Sequence, residues 1–137
     1  TAFKNDQRQN VLMTPMAKPL SDEDVADLGA YFASQKPTGT LEAEPWKVAL
    51  GQKLFRGGDP AKGIAACAAC HGPDGAGNPA AGYAQIKGQH ATYTINQLKA
   101  YRSGTRQTDP NQMMRNVASL LTDEQIDAVA AYIQGLR

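Results

Sequence analysis

Apolar residues recur at helical spacing in four stretches of the chain, and in none of them does the alternation of a strand persist. The first stretch, Ser21 to Ser34, opens with Ser-Asp-Glu-Asp, a hydroxyl cap followed by carboxylates that suit the positive end of a helix. Val25, Leu28, Tyr31 and Phe32 then share one face, which predicts an amphipathic helix. Residues 37–40 end it, and the segment from Pro37 to Pro45, poor in large apolar groups and bounded by prolines, predicts a linker. A second helix is expected from Trp46 to near Phe55, with Val48, Leu50, Leu54 and Phe55 apolar and Gly51 leaving room for a close helix neighbour. A third is expected from Ala91 to Arg102, carrying Ile95, Leu98 and Tyr101 on one stripe. The last begins at Thr122, where Gln125 completes a capping box, and buries Ile126, Val129, Ala130 and Ile133 with Tyr132 alongside. Alanine, a strong helix former and weak strand former, dominates the apolar residues, so the pattern predicts an all-α fold.

The first and last of these stretches are related. Met13 through Tyr31 lies on Met114 through Tyr132 without a gap, pairing Leu20 with Leu121, Ser21 with Thr122, Val25 with Ile126 and Tyr31 with Tyr132. The first copy has no cysteine pair ahead of it, so residues 1–36 read as the tail of a domain whose front is missing, residues 37–45 as a linker and residues 46–137 as a whole domain.

Composition narrows the function classes. The 137 residues suit one domain, or one domain with a substantial extra piece. Lys and Arg total 14 against 13 for Asp and Glu, with no basic run, which speaks against a nucleic-acid stripe or a polybasic membrane patch. No apolar run approaches the roughly 20 residues that span a bilayer, and no charged-then-apolar leader opens the chain, so a soluble protein whose export signal has been removed is expected.

The two cysteines form one local unit, Cys67-Ala68-Ala69-Cys70-His71. This is the haem attachment pattern: two thiols become thioethers to the vinyl groups, and the adjacent histidine is carried beneath the iron. A disulfide, a redox dithiol and half of a zinc site are the alternatives. Zinc needs a closed tetrahedral ligand set, and the only other histidine, His90, stands in the wrong pattern; a redox dithiol belongs beside a βαβ unit, which the pattern lacks. Met113 and Met114 lie downstream, ahead of the last helix, where thioether sulfur would supply a soft sixth ligand that raises the reduction potential. Tyr83, Tyr93 and Tyr101 suit the walls of such a site, and Arg102, Arg106 or Arg115 could pair with its propionates. Asn111, Gln112 and Asn116 stand near the methionines as candidate donors, and His90 reads as a surface residue.

Residues 46–137 resemble the class I cytochromes c, and among them cytochrome c4, the di-haem bacterial cytochromes with two similar domains in tandem. The likeness is carried by Cys67 to Gly75 (CAACHGPDG), Gly88-Gln89-His90, Gln97 to Arg106 (QLKAYRSGTR), and Met114 to Ala118 ahead of Leu121-Thr122-Asp123. Asn10 to Gln35 resembles the last part of the family's first domain, without its haem motif. Proteolysis, a shortened chain or a segment exchanged between chains would each account for that.

The resemblance implies one covalent haem c bound by Cys67 and Cys70, with His71 as proximal and Met114 as distal iron ligand. It also implies that Gly51 and Phe55 meet Val129 and Tyr132, and that the ring N–H of His71 donates to a carbonyl at Ala84, where the family usually has proline. The implied function is single-electron transfer with no substrate converted. The implied partners are redox proteins such as a membrane quinol-oxidising complex and a terminal oxidase, and the implied location is the bacterial periplasm. Peripheral membrane association and a homodimer through the N-terminal segment are compatible with it. The rival functions are a haem-bearing module or subunit of a larger oxidase or dehydrogenase complex, and a gas sensor or peroxidase if the methionine is labile.

Overall fold

The computed structural model describes residues 1–36 and 43–136; most of the expected linker, residues 37–42, lies outside the described residues, as does Arg137. Helices follow one another along the chain as α1 (Met13–Ala17), α2 (Asp22–Ser34), α3 (Pro45–Gly57), α4 (Ala68–His71), α5 (Ala91–Ser103), α6 (Met113–Ser119) and α7 (Asp123–Gly135). Among the described residues there is no strand, only isolated bridges between Asp59 and Ile64 and between Asn78 and Tyr83. The all-α expectation holds, and the four long helices stand where periodicity and caps put them.

Each long helix has a local reason to begin and end. Pro45 opens α3, where its missing N–H costs nothing. Thr122 and Gln125 form the reciprocal capping box that starts α7, and Ser21 and Asp24 form the same box on α2. Gly104, at φ 75, closes α5 in the left-handed region. The short helices α1, α4 and α6 were not predicted, because one or two turns carry too few positions to show a period.

Helices α3, α5, α6 and α7 enclose a core of Phe55, Ile64, Leu98, Leu121, Ile126, Val129 and Ile133. Fully burying each such side chain stabilises the fold by about 1.5–3 kcal/mol. The crossing of α3 on α7 depends on Gly51: a Cβ there would lie 2.1 Å from the Ala128 carbonyl oxygen and 2.7 Å from the Tyr132 Cβ. The backbones are that close because the glycine has no side chain, and one turn on the Phe55 ring meets the Tyr132 ring at 5.3 Å between centroids. The implied contact of the first and last domain helices is therefore present. The rest of α3 is less buried than its apolar pattern suggests, with Trp46 and Val48 exposed.

The N-terminal segment is different. Neither α1 nor α2 buries a residue, and Leu28, Tyr31 and Phe32 face outward. The end of α2 lies beside the 85–90 loop, where Tyr31, Phe32 and Gln35 line an open groove with Gln85, Lys87 and His90.

Candidate haem site

The single turn α4 sorts the attachment residues into two environments. The Cys67 carbonyl accepts the N–H groups of Cys70 at 3.3 Å and His71 at 2.9 Å, so the chain winds tightly and presents successive side chains around one turn. Cys67 is half-buried and packs on the core, Cys70 is exposed and His71 is half-buried. Both thiols are free. Burial pushes the Cys67 thiol up to about 11, the opposite of the lowered value that makes a redox dithiol reactive. Among the described residues no three His, Cys, Asp or Glu side chains converge closely enough to hold a metal ion.

A loop returning over α4 fixes the imidazole. His71 Nδ1 lies 2.7 Å from the Ala84 carbonyl oxygen. A carbonyl only accepts, so Nδ1 carries a proton, and in the neutral ring that leaves the Nε2 lone pair for a metal. Gly77 makes the approach feasible: its N–H donates to the His71 carbonyl at 2.8 Å, and a Cβ on it would lie 2.6 Å from the backbone of residues 83–85. The loop is pinned further on by Ile86 and Lys87 N–H groups donating to the Gly75 carbonyl, and by Gly88 N–H donating to Ile133. Replacing the family's proline with Ala84 leaves this hydrogen bond intact.

The methionines sit at the start of α6. Asn111 and Gln112 precede them in the left-handed region, at φ 53 and φ 58, a conformation that costs on the order of 1 kcal/mol or more for residues other than glycine. The buried Asp109 compensates by gripping the new helix, accepting from the backbone N–H of Arg115 and from its Nε, each at 2.9 Å. Burial alone would raise the Asp109 carboxyl, but the Arg115 hydrogen bonds outweigh it and hold it below its usual range. Met114 is half-buried against the core with Cys67, Ala68, Ile86 and Ile95, whereas Met113 is exposed.

The remaining candidates are distributed less selectively. His90 is the exposed N-cap of α5. Arg102 is committed to the Leu121 carbonyl and Asp123, and Arg115 to Asp109; Arg106 contacts Gln97 and Thr108 instead of a carboxylate. Sequence reasoning missed Asp109 and Gly77. An Asp-Pro pair just before a helix is a cap signal that could have marked the first; the second shows only once the loop is folded over it.

Two thiols at vinyl-addition spacing, an imidazole with its outer nitrogen free and a thioether in an apolar wall make a donor set that fits a c-type haem. The family model described as Cytochrome c matches residues 48–137. The chain is 46% identical to cytochrome c4 of Thiocapsa roseopersicina over 131 residues, covering 95% of this chain and 68% of that one. It is 40% identical to the thiosulfate dehydrogenase electron acceptor of Thiomonas intermedia, covering 96% of this chain and 61% of the relative. The crystal structure of reduced recombinant cytochrome c4 from Pseudomonas stutzeri superimposes with a TM-score of 0.88 at 46% identity, over 95% of this chain and 68% of that one. The chain therefore belongs to the cytochrome c family and, within it, to cytochrome c4. Membership implies covalently bound haem c with iron, and Cys67 and Cys70 stand at the spacing this attachment uses. The chain spans only 61–68% of the length of these relatives.

Proposed function

We propose that residues 46–137 form a mono-haem electron-transfer domain in which His71 is the proximal and Met114 the distal iron ligand, while residues 1–36 are the C-terminal part of a preceding cytochrome domain. When bound, haem c supplies a one-electron iron couple. Cys67 and Cys70 hold the macrocycle through thioethers. His71, its Nδ1 proton committed to Ala84, offers Nε2 in a fixed orientation; this hydrogen bond is the observation that carries the reading. Met114, which packs on the same core as Cys67 and Ile86, would hold the iron through its thioether, a soft neutral donor that would favour the ferrous state. No substrate is converted, and the chain is not an enzyme.

The expected partners are redox proteins, a membrane quinol-oxidising complex and a terminal oxidase among them, and the expected location is the bacterial periplasm. No helix among the described residues is long and apolar enough to cross a membrane. A second reading, an electron-accepting subunit of a dehydrogenase complex, is favoured by the likeness to the Thiomonas intermedia protein.

The ligand assignment is tested by spectroscopy of the purified holoprotein. A low-spin spectrum with a methionine-to-iron band, unshifted by carbon monoxide at neutral pH, is expected. Met114→Ala abolishes the band and admits carbon monoxide, whereas Met113→Ala changes neither. Loss of the band in the Met113 variant instead would overturn the assignment.

A further inference from the structure

The turn that carries the two methionines is fastened from a distance, because nothing local does it. Helix α6 begins at Met113, and Gln112 ahead of it gives the helix no side-chain cap. Asn111 and Gln112 both sit in the left-handed region, so the helix is entered through two adjacent strained residues. Such an entry relaxes unless other contacts hold it. The acceptor that an N-cap side chain would offer to the third helical N–H comes instead from Asp109, whose Oδ2 accepts from the Arg115 N–H while Oδ1 accepts from Arg115 Nε. The Asp109 side chain is 3% exposed and that of Arg115 23%, so water competes poorly for either bond.

The two ends of α6 are held differently. The far end belongs to the core, with Ala118 fully buried and Leu121 N–H donating to the Ala118 carbonyl at 3.2 Å. At the near end, the Asp109 bonds close residues 109–115 into a loop that contains both methionines. Arg115 follows Met114 directly, and successive residues of a helix point roughly 100° apart. Fixing Arg115 on Asp109 therefore fixes the direction of its neighbours, Met114 toward the core and Met113 toward solvent.

We infer that Asp109 is a positioning residue for the sixth iron ligand: by gripping Arg115 it keeps the strained turn wound, and so decides whether Met114 stays in place or yields to an added ligand. The inference rests on the proposed role of Met114 and goes beyond it, since it locates the control of ligand release in a carboxylate five residues upstream. Asp109 acts through Arg115 and the backbone. With its two bonds cut, residues 111 and 112 relieve their strain by unwinding the first turn of α6, while Ala118 holds the far end. The methionine is then lost locally, without unfolding of the domain.

Holoprotein carrying Asp109→Ala or Asp109→Asn tests this beside Val129→Ala, a core truncation at the α3–α7 crossing. The readouts are the methionine-to-iron band, the rate at which carbon monoxide binds the reduced protein, and urea unfolding. Asp109→Ala removes both bonds and is expected to weaken the band and to speed carbon monoxide binding by about tenfold or more. Asp109→Asn keeps one acceptor oxygen and falls between that variant and the parent. Val129→Ala lowers the urea midpoint and leaves the band and the binding rate at parent values. Amide exchange at Val117, whose bond spans the first turn of α6, accelerates in the Asp109 variants ahead of exchange in α7, a readout that involves no iron chemistry.

The inference is overturned if both Asp109 variants keep the parent band and binding rate, or if Val129→Ala changes them as much at equal loss of stability. Where Asp109→Ala does not retain haem, Asp109→Asn decides by the same criteria. Failure of the Met114 assignment shows separately, as a band that survives Met114→Ala in the parent protein.

Discussion

Helices α2 and α7 begin in the same way and end in opposite surroundings. Both start with a reciprocal capping box, Ser21 with Asp24 and Thr122 with Gln125, both follow it with acidic residues, and both carry apolar residues at matching positions. Yet Ile126 and Ala130 are fully buried and Val129 and Ile133 nearly so, while Tyr31 is 59% and Phe32 67% exposed. The cause is the partner. α7 has α3, whose Gly51 admits its backbone, and α5; α2 has no comparable helix against it among the described residues. Caps and periodicity specify that a helix forms and which face it offers. They do not specify what covers that face.

The sharpest way to break the comparison is to fill the contact that only α7 possesses. Gly51→Val drives a side chain into the Ala128 carbonyl and should cost roughly 3 kcal/mol or more, enough to abolish cooperative unfolding or haem retention. On α2, Gly29 has nothing within 4 Å of its missing Cβ, and Gly29→Ala should raise helix stability by about 0.5–1 kcal/mol. Urea unfolding of both variants checks the pair, and equal effects would show that α2 is packed after all.

Truncating equivalent apolar residues should separate the helices less severely. Ile126→Ala leaves a cavity in a closed core and is expected to cost about 2–5 kcal/mol. Val25→Ala on α2 should cost well under about 1 kcal/mol in the same denaturation experiment.

The caps sharpen the point at a smaller scale. Thr122→Ala and Ser21→Ala each remove one N-cap acceptor, worth about 1 kcal/mol. For Thr122 the loss should lower global stability, because α7 forms part of the core. For Ser21 it should appear only as faster amide exchange within α2, with the unfolding midpoint unchanged.

Acid should reproduce this division most gently. Asp24 is held below its ordinary range first by the Ser21 hydroxyl, and Asp123 first by the Arg102 hydrogen bond and charge. A carboxyl whose folded value is depressed stabilises the folded form above its unfolded value of 3.8, and loses that contribution as pH falls through the lower one. Acidification below about pH 4 should therefore loosen α2 locally through Asp24 and weaken the whole fold through Asp123. Arg102→Gln should remove only the second effect in a pH series of melting curves.

The same division explains how much of the molecule was legible in its residues. The α3, α5 and α7 helices and the α3–α7 crossing follow from spacing, caps and a glycine, and the attachment loop from five consecutive residues. The short α4 and α6 do not, because they are held by contacts remote in sequence: Ala84 over α4 through Gly77, and Asp109 gripping Arg115. Met114 differs from Met113 only in the direction the folded turn gives it, though the repeat hinted at the choice. The contact of Arg8 and Arg106 at Gln97 does not follow from the residues, because it joins positions 8, 97 and 106 that only the folded chain brings together.

The grip on His71 comes from main-chain oxygen, and this has an evolutionary corollary. A side-chain acceptor is lost by one codon change, but every amino acid brings the same C=O. A substitution at position 84 thus leaves the acceptor of the imidazole in place, whereas a side chain at position 77 would collide with the backbone of residues 83–85, because the bare α-carbon of Gly77 is what lets the strap lie close.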